Sequence, residues 1–388
     1  PSSPILFPSA MQCLDALGIA EADYADPNAK MNGIKFDLGD FFSSKMPMPT
    51  MSCGRNYFCG IERTTFDELL WKSLERFPCV ERRQDFTVTD VLQEEGRVIG
   101  ITGRARNYAA MSHEETITAH CVIGADGRYS LVARRVDAEF QETCNDHTST
   151  VYFADWQGVN FDEPGDPWAH IYTNARGLDI ISFAMPNNCY SINTHARSDR
   201  AQIGGNAERY YHHTLRSQPR IWRLLERAEC VSRVYGLKKV CNGYRRMSGP
   251  GWALCGDAVH HKDPIDGQGI YDALLSTQLL DLALASALSG KLSWQDAMSN
   301  YERDLQHATQ PMFISTMGRL KRELYGEPPI AVVKTLIRWR LSDPNYHEAF
   351  LRVLSRELAP AILDSPWHIA ASVGRGIGRD LASFFRHR

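Results

Sequence analysis

Two short stretches decide how this chain folds: Cys121-Val-Ile-Gly-Ala-Asp-Gly127 and Trp252-Ala-Leu-Cys-Gly-Asp257. Each is an apolar run of strand length that stops on an acid beside glycine and leads into a turn or helix. In doubly wound α/β folds, ligands sit at the carboxyl ends of the strands. There glycine lets the backbone approach a phosphate or sugar, and a carboxylate accepts hydrogen bonds from ribose or ribityl hydroxyls. One such site reads as an Asp capping the next helix. Two of them, separated by a strand-rich insertion, point to a shared ligand cleft.

The loop after the second stretch sharpens this reading. His260–Gly269 closes with Asp263-Pro-Ile-Asp-Gly-Gln-Gly269 and feeds a long amphipathic helix, Ile270–Leu288. Free N–H groups at a helix start, with the positive end of its dipole, stabilise an anion or the electron-rich edge of a heterocycle.

Working outward, Pro4–Leu17 reads as a loop and a short helix that Gly18 stops, and 28–52 as an extended excursion. A helix opens at Thr64 and runs through Arg76, with Thr64 or Thr65 as its cap. Phe86–Leu92 and Val98–Thr102, joined at Glu95-Gly96, form a hairpin. Alternating segments at 151–156, 170–173, 180–185, 190–197 and 231–239 make a sheet-rich block of about 90 residues, the size of a small domain. Helices at 207–215 and 219–227 interrupt it. Trp294–Thr309 is a further helix, and everything from Pro311 is helical or loop.

Composition removes several classes. Across 388 residues, 43 Lys/Arg against 46 Asp/Glu give a net charge of −3, so no basic face for nucleic acid is expected. The richest apolar run, Ala273–Leu288, is broken by Ser276, Thr277, Gln278 and Asp281, so no transmembrane segment is expected. The first residues lack the pattern of a signal peptide. Ten cysteines without a C-x-x-C pair read as reduced thiols in a cytoplasmic protein. His260-His261 with Asp263 suggests a metal cluster, but adjacent histidines on a loop rarely chelate one ion, and no metal is expected. His212-His213 reads as a solvated helix face, and no G-x-S-x-G elbow is present.

Gly256-Asp257-Ala258, His261-Lys-Asp-Pro264 and Gly267-Gln-Gly269 together resemble the second flavin motif of FAD-dependent monooxygenases of the aromatic-hydroxylase (p-hydroxybenzoate hydroxylase-like) type. Gly124-Ala-Asp-Gly-Arg-Tyr-Ser-Leu-Val-Ala-Arg134 is similar to that family's Asp-Gly motif. Arg63, in Glu62-Arg-Thr-Thr-Phe-Asp-Glu-Leu-Leu70, stands where the family has an Arg before a helix. The three come in family order and span Pro1 to about Leu305.

The resemblance implies an α/β fold: a doubly wound, Rossmann-like FAD-binding domain in two parts (1–150 and 246–310). A β-sheet substrate domain (151–245) is inserted, and a helical region (311–388) follows. Asp257, beside Gly256, would accept a hydrogen bond from the ribityl chain. Pro264 would flank the isoalloxazine, and the amides of Gly267, Gln268 and Gly269 would face its N1–C2=O edge. Asp126 and Gly127 would lie near the pyrophosphate and the nicotinamide path, and Arg63 would touch the FAD phosphates or the flavin face.

The implied reaction is hydroxylation of an apolar, aromatic or polycyclic small molecule with NAD(P)H and O2 through a flavin C4a-hydroperoxide. Flavin carries that chemistry, so no catalytic side chain is named. A flavin-dependent reductase of isoprenoid double bonds shares the frame. A halogenase is suggested by Trp156 and Trp168, although the sequence between them does not match. The reading from another class is a non-catalytic or truncated module that does not retain FAD. Homo-oligomer formation stays open.

The departure is at the start. The family begins with a strand, a G-x-G-x-x-G turn and a helix for the ADP half of FAD. That unit, roughly 30 residues or more, has no counterpart here. The expectation is a truncated chain, or one completed by another polypeptide. Gly374-Arg-Gly-Ile-Gly378 follows no strand and does not replace the unit. Trp367, Ile369, Val373, Ile377, Leu381 and Phe385, with Arg375, Arg379, Arg386 and Arg388, form a basic amphipathic helix expected to pack on the body.

Overall fold

The computed structural model describes residues 4–105, 113–160, 167–201 and 205–386. Both deciding stretches are strands, and they lie side by side. Val122–Gly124 and Trp252–Leu254 run parallel, with Val122 opposite Trp252 and Gly124 opposite Leu254. A bond from Cys255 N to Gly124 O (3.0 Å) carries the pairing to the strand tips. Ser248–Gly249 flanks Trp252–Leu254 on the far side. The other edge of Val122–Gly124 has no strand partner among the described residues.

Ten α-helices are present among the described residues: α1 (Pro8–Ala16), α2 (Arg63–Ser73), α3 (Leu131–Arg135), α4 (Ala207–Arg216), α5 (Pro219–Leu225), α6 (Gly269–Leu288), α7 (Trp294–Glu323), α8 (Ala331–Leu341), α9 (Pro344–Leu354) and α10 (Pro366–Arg386). Glu62, not a threonine, caps α2: its carboxylate accepts from the amides of Thr64 and Thr65. Helix α7 runs well past the expected end, through Pro311. Proline there forfeits one helical bond at about 3 kcal/mol. Leu305, Met312, Phe313 and Leu320 are all buried along this helix. At about 1.5–3 kcal/mol for each such side chain, that burial outweighs the loss.

The strand-rich block forms an eight-stranded sheet with Ser149–Gln157, Cys189–Arg197, Leu178–Met185 and Ala169–Thr173 at its centre. The extended excursion at 28–52 contributes two strands to it. Gly33–Leu38 pairs parallel with Ala169–Thr173 and antiparallel with Phe42–Pro47. The strand expected at 231–239 is two short pieces, Glu229–Cys230 and Tyr235–Leu237, both on Ser149–Gln157. One face of the sheet packs Met46, Ile171 and Phe183 against Leu351 and Leu354 of α9. The other packs Tyr152, Trp156 and Ile192 against Tyr211 and Leu215 of α4. Because both faces are covered, the polar members of these alternating segments, Ser191, Asn193 and Thr194 among them, are buried as well. His212, expected on a solvated face, instead packs edge-on against Trp156.

A further core joins the parallel pair to α6 and α7 through Leu254, Leu280, Tyr301, Leu305 and Phe313. Phe86–Glu94, Arg97–Ala105 and Glu114–Thr118 form a separate antiparallel sheet that contains the expected hairpin. All ten cysteines are free thiols. Gly374–Gly378 lies in the middle of α10 and forms no phosphate loop.

Candidate functional site

Because the two strands are paired, their tips deliver Asp126 and Asp257 to neighbouring loops. Asp126 accepts from the amides of Leu131 (2.6 Å) and Val132 (3.1 Å), both on Oδ2, and so caps α3. Its Oδ1 has no hydrogen-bond partner among the described residues. Gly127 follows with φ 77°, and a Cβ there would meet open space.

Arg128 ties the two tips together. Its guanidinium donates to Cys241 O (3.0 Å) and Lys262 O (3.3 Å), and its Nε stands 3.9 Å from Asp257 Oδ2. Asp257 is open to solvent on one side and walled in elsewhere. The wall raises its pKa more than Arg128 and, further out, Lys262 and Arg63 lower it. Arg63 itself holds Asp67 through Nε (3.1 Å) and Nη2 (3.0 Å).

Gly256 rests directly on α6: its amide donates to Ser276 Oγ at 2.8 Å, and a Cβ would stand 3.4 Å from Ala273. Thus the strand tip that carries Asp257 lies against the first two turns of α6. Gln268 provides no side-chain cap for α6, and the first N–H groups of any helix lack partners within it. Gly269 is exposed, with open space where a Cβ would be.

The polar residues of the 260–269 loop turn into the body and hold it from below. Lys262 pairs with buried Asp272, which also takes Arg356 at 2.6 Å. Burial drives the Lys262 ammonium below its usual range, although Asp272 opposes this. Burial alone would raise Asp272, but Lys262 and Arg356 hold it low. Asp263 accepts from Ser149 Oγ, lies 3.7 Å from His195 and caps the turn at Ile265 N. Asp266 takes Arg319 (2.7 Å) and Thr316 (2.5 Å). Gln268 is buried and donates to Leu354 O. Pro264 and Gly267 remain partly open, with Gly267 at φ 65°.

His260 is stacked on Tyr244 (4.1 Å between centroids), and burial pushes His260 and His261 down to about 3. Both are packing residues, and no metal-binding group of three ligands exists among the described residues. Sequence reasoning quoted Arg128 within a motif but did not single it out. It missed Arg319, Ser149 and His195 altogether. These reach the loop from other elements, and no local pattern marks them.

The family of FAD binding domains matches residues 1–312. The chain belongs to that family. It is a flavin-dependent oxidoreductase with FAD as its cofactor. Among relatives, a digeranylgeranylglycerophospholipid reductase of Methanocella arvoryzae is 24% identical over 318 residues, 77% of this chain and 74% of that protein. The flavin-dependent brominase Bmp2 superposes with a TM-score of 0.75 at 17% identity, covering 99% of this chain and 89% of that one. The p-nitrophenol 4-monooxygenase PnpA of Pseudomonas putida gives 0.72 at 14% identity, covering 92% and 88%. Likeness at this identity shows the shared fold.

The residues present fit the group. A bare helix mouth at Gly269, open space at Gly127, and a carboxylate at each strand tip match the needs of an anionic, hydroxyl-bearing cofactor.

Proposed function

We propose that this chain is an FAD-dependent monooxygenase that hydroxylates an apolar aromatic or polycyclic small molecule with NAD(P)H and O2. The observation that carries the reading is the convergence of Asp126, Arg128 and Asp257 with the uncapped start of α6. Bound flavin supplies hydride acceptance and oxygen activation. Asp257 would accept from the ribityl hydroxyls, with Gly256 giving the backbone its approach. Asp126, Gly127 and Arg63 would hold the phosphate side of the cofactor. Pro264 would border the ring, and the amides of Gln268 and Gly269 would offer positive potential to its pyrimidine edge. The Gly267 amide, expected to join them, instead donates to Pro264 O at 2.9 Å. The strand-rich block is the part that would cover the flavin and form the substrate pocket.

A halogenase reading has its own support, the brominase superposition over nearly the full chain. A reductase reading rests on the archaeal relative. One experiment separates the three. The FAD-loaded protein is given NAD(P)H under air with a panel of aromatic substrates and of polyprenyl alkenes, with and without bromide, and products are analysed by mass. Oxygen uptake with a gain of one oxygen atom is the expected result. A brominated product, or a reduced double bond formed without O2 consumption, would overturn it.

A further inference from the structure

Helix α10 is folded with its polar side inward. Ser372 donates to Asp343 Oδ2 at 2.5 Å, and Arg375 makes two bonds to the same carboxylate at 3.0 and 2.6 Å. Arg379 donates to Trp339 O (2.8 Å), while Asp380 accepts from Trp339 Nε1 (2.7 Å) and Arg338. These contacts set α10 antiparallel to α8. Gly376 lies on the buried side, where a Cβ would stand 2.2 Å from Trp339 Cγ.

The outer side is apolar. Trp367, Gly374 and Leu381 interleave with Ala371, Gly378 and Phe385 at alternating steps of four and three residues, and all six are exposed. Trp367 is 84% exposed and Phe385 71%. At Gly374 and Gly378 a Cβ would meet nothing within 4 Å. Beside Leu381 and Phe385, the antiparallel start of α8 presents Ile330 (70% exposed) and Val332 (68%). Taking ~150–250 Å² per large side chain, as for aromatic residues, the exposures of Trp367, Leu381, Phe385, Ile330 and Val332 leave roughly 500–900 Å² of apolar surface. The largest patch on a typical monomer is about 300–600 Å².

We propose that the outer face of α10, with the start of α8, is where two copies of this chain pair, α10 against α10 across a two-fold axis. A standard stable interface takes about 800 Å² from each partner, and the apolar area of this face falls within reach of that. The four-three spacing is the narrow seam that a second helix fills. A lipid-binding helix instead needs free basic residues along its flank. Among the described arginine side chains of α10, Arg375 is committed to Asp343 and Arg379 to Trp339 O. The proposal is independent of the reaction assigned above.

The test is sedimentation of the full chain across the micromolar range, with Leu381→Glu, Phe385→Glu and Gly374→Leu beside it. A dimer is expected, and each variant should raise its dissociation constant at least about tenfold. Gly374→Leu carries the decision, because leucine fits the open space of the monomer and favours the helix. Its loss of dimer, with a melting temperature undiminished when both proteins are compared below the parent's dissociation constant, cannot be misfolding. A monomer at the highest concentration, or a dimer indifferent to all three variants, overturns the proposal. So does a monomer that floats with phosphatidylglycerol vesicles and loses that binding in Phe385→Glu, which would mark a lipid face.

Discussion

At the scale of single residues, buried ionisable groups set the pH response. Asp179 is completely buried, and desolvation, reinforced by the charge of Glu323, raises its pKa well above the ordinary value. A raised carboxyl costs nothing below the unfolded value of about 4 and destabilises the fold as pH rises past it. Asp179→Asn should therefore raise stability at pH 8 by roughly 1–2 kcal/mol, with the gain vanishing near pH 4. Denaturant midpoints at the two pH values check this. Histidines act in the opposite direction. His260, held down to about 3 by burial, contributes stability above its unfolded value of about 6.5 that is lost as pH falls toward 3. His261 and His170 behave alike. His260→Phe keeps the stack on Tyr244, so melting temperatures between pH 6.5 and 4 should fall less steeply than in the parent. For the site itself, Asp257→Ala should weaken FAD retention without lowering the apoprotein's stability. Unchanged flavin content after gel filtration would refute its role.

At the scale of elements, the 260–269 loop depends on partners brought from a distance. Arg319 of α7 is buried between Asp266 and Glu323. Arg319→Met strands both carboxylates and should cost about 3–5 kcal/mol. Adding Asp266→Asn should recover part of that loss in urea unfolding, since one uncompensated charge is removed. Where Phe58–Gly60 meets the large sheet, a Cβ on Gly60 would lie 2.0 Å from Ala184 O, a backbone atom that cannot swing aside. Gly60→Ala should destabilise by about 2–4 kcal/mol. A thermal midpoint equal to the parent's would show that the sheet yields more readily than this packing allows.

At the scale of the whole molecule, the residues proposed to hold FAD come from both strand tips, α2 and the start of α6, so binding there would draw on the folded arrangement of the chain. Cofactor that binds only the folded state raises stability by RT ln(1 + [L]/Kd), about 2.7 kcal/mol at a hundredfold excess over Kd. The melting temperature should climb with FAD concentration in the parent and climb less in Asp257→Ala.

Strand and helix identities were legible because periodicity and Gly-Asp punctuation are local: Val122–Gly124, Trp252–Leu254 and the start of α6 follow from their own residues. Asp126 shows both readings at once, capping α3 with one oxygen while the other stays open. The excursion at 28–52 reads from sequence as extended, but that it adds two strands to the large sheet shows only beside Ala169–Thr173. Arg319, Ser149 and His195 were invisible for the same reason: a buried ion pair or hydrogen bond carries no signature until the chain brings its halves together. The amphipathic pattern of α10 was plain, yet which side faces inward was not. Periodicity shows that a helix has two faces, but the partners at Asp343 and Trp339 decided that the polar one is buried.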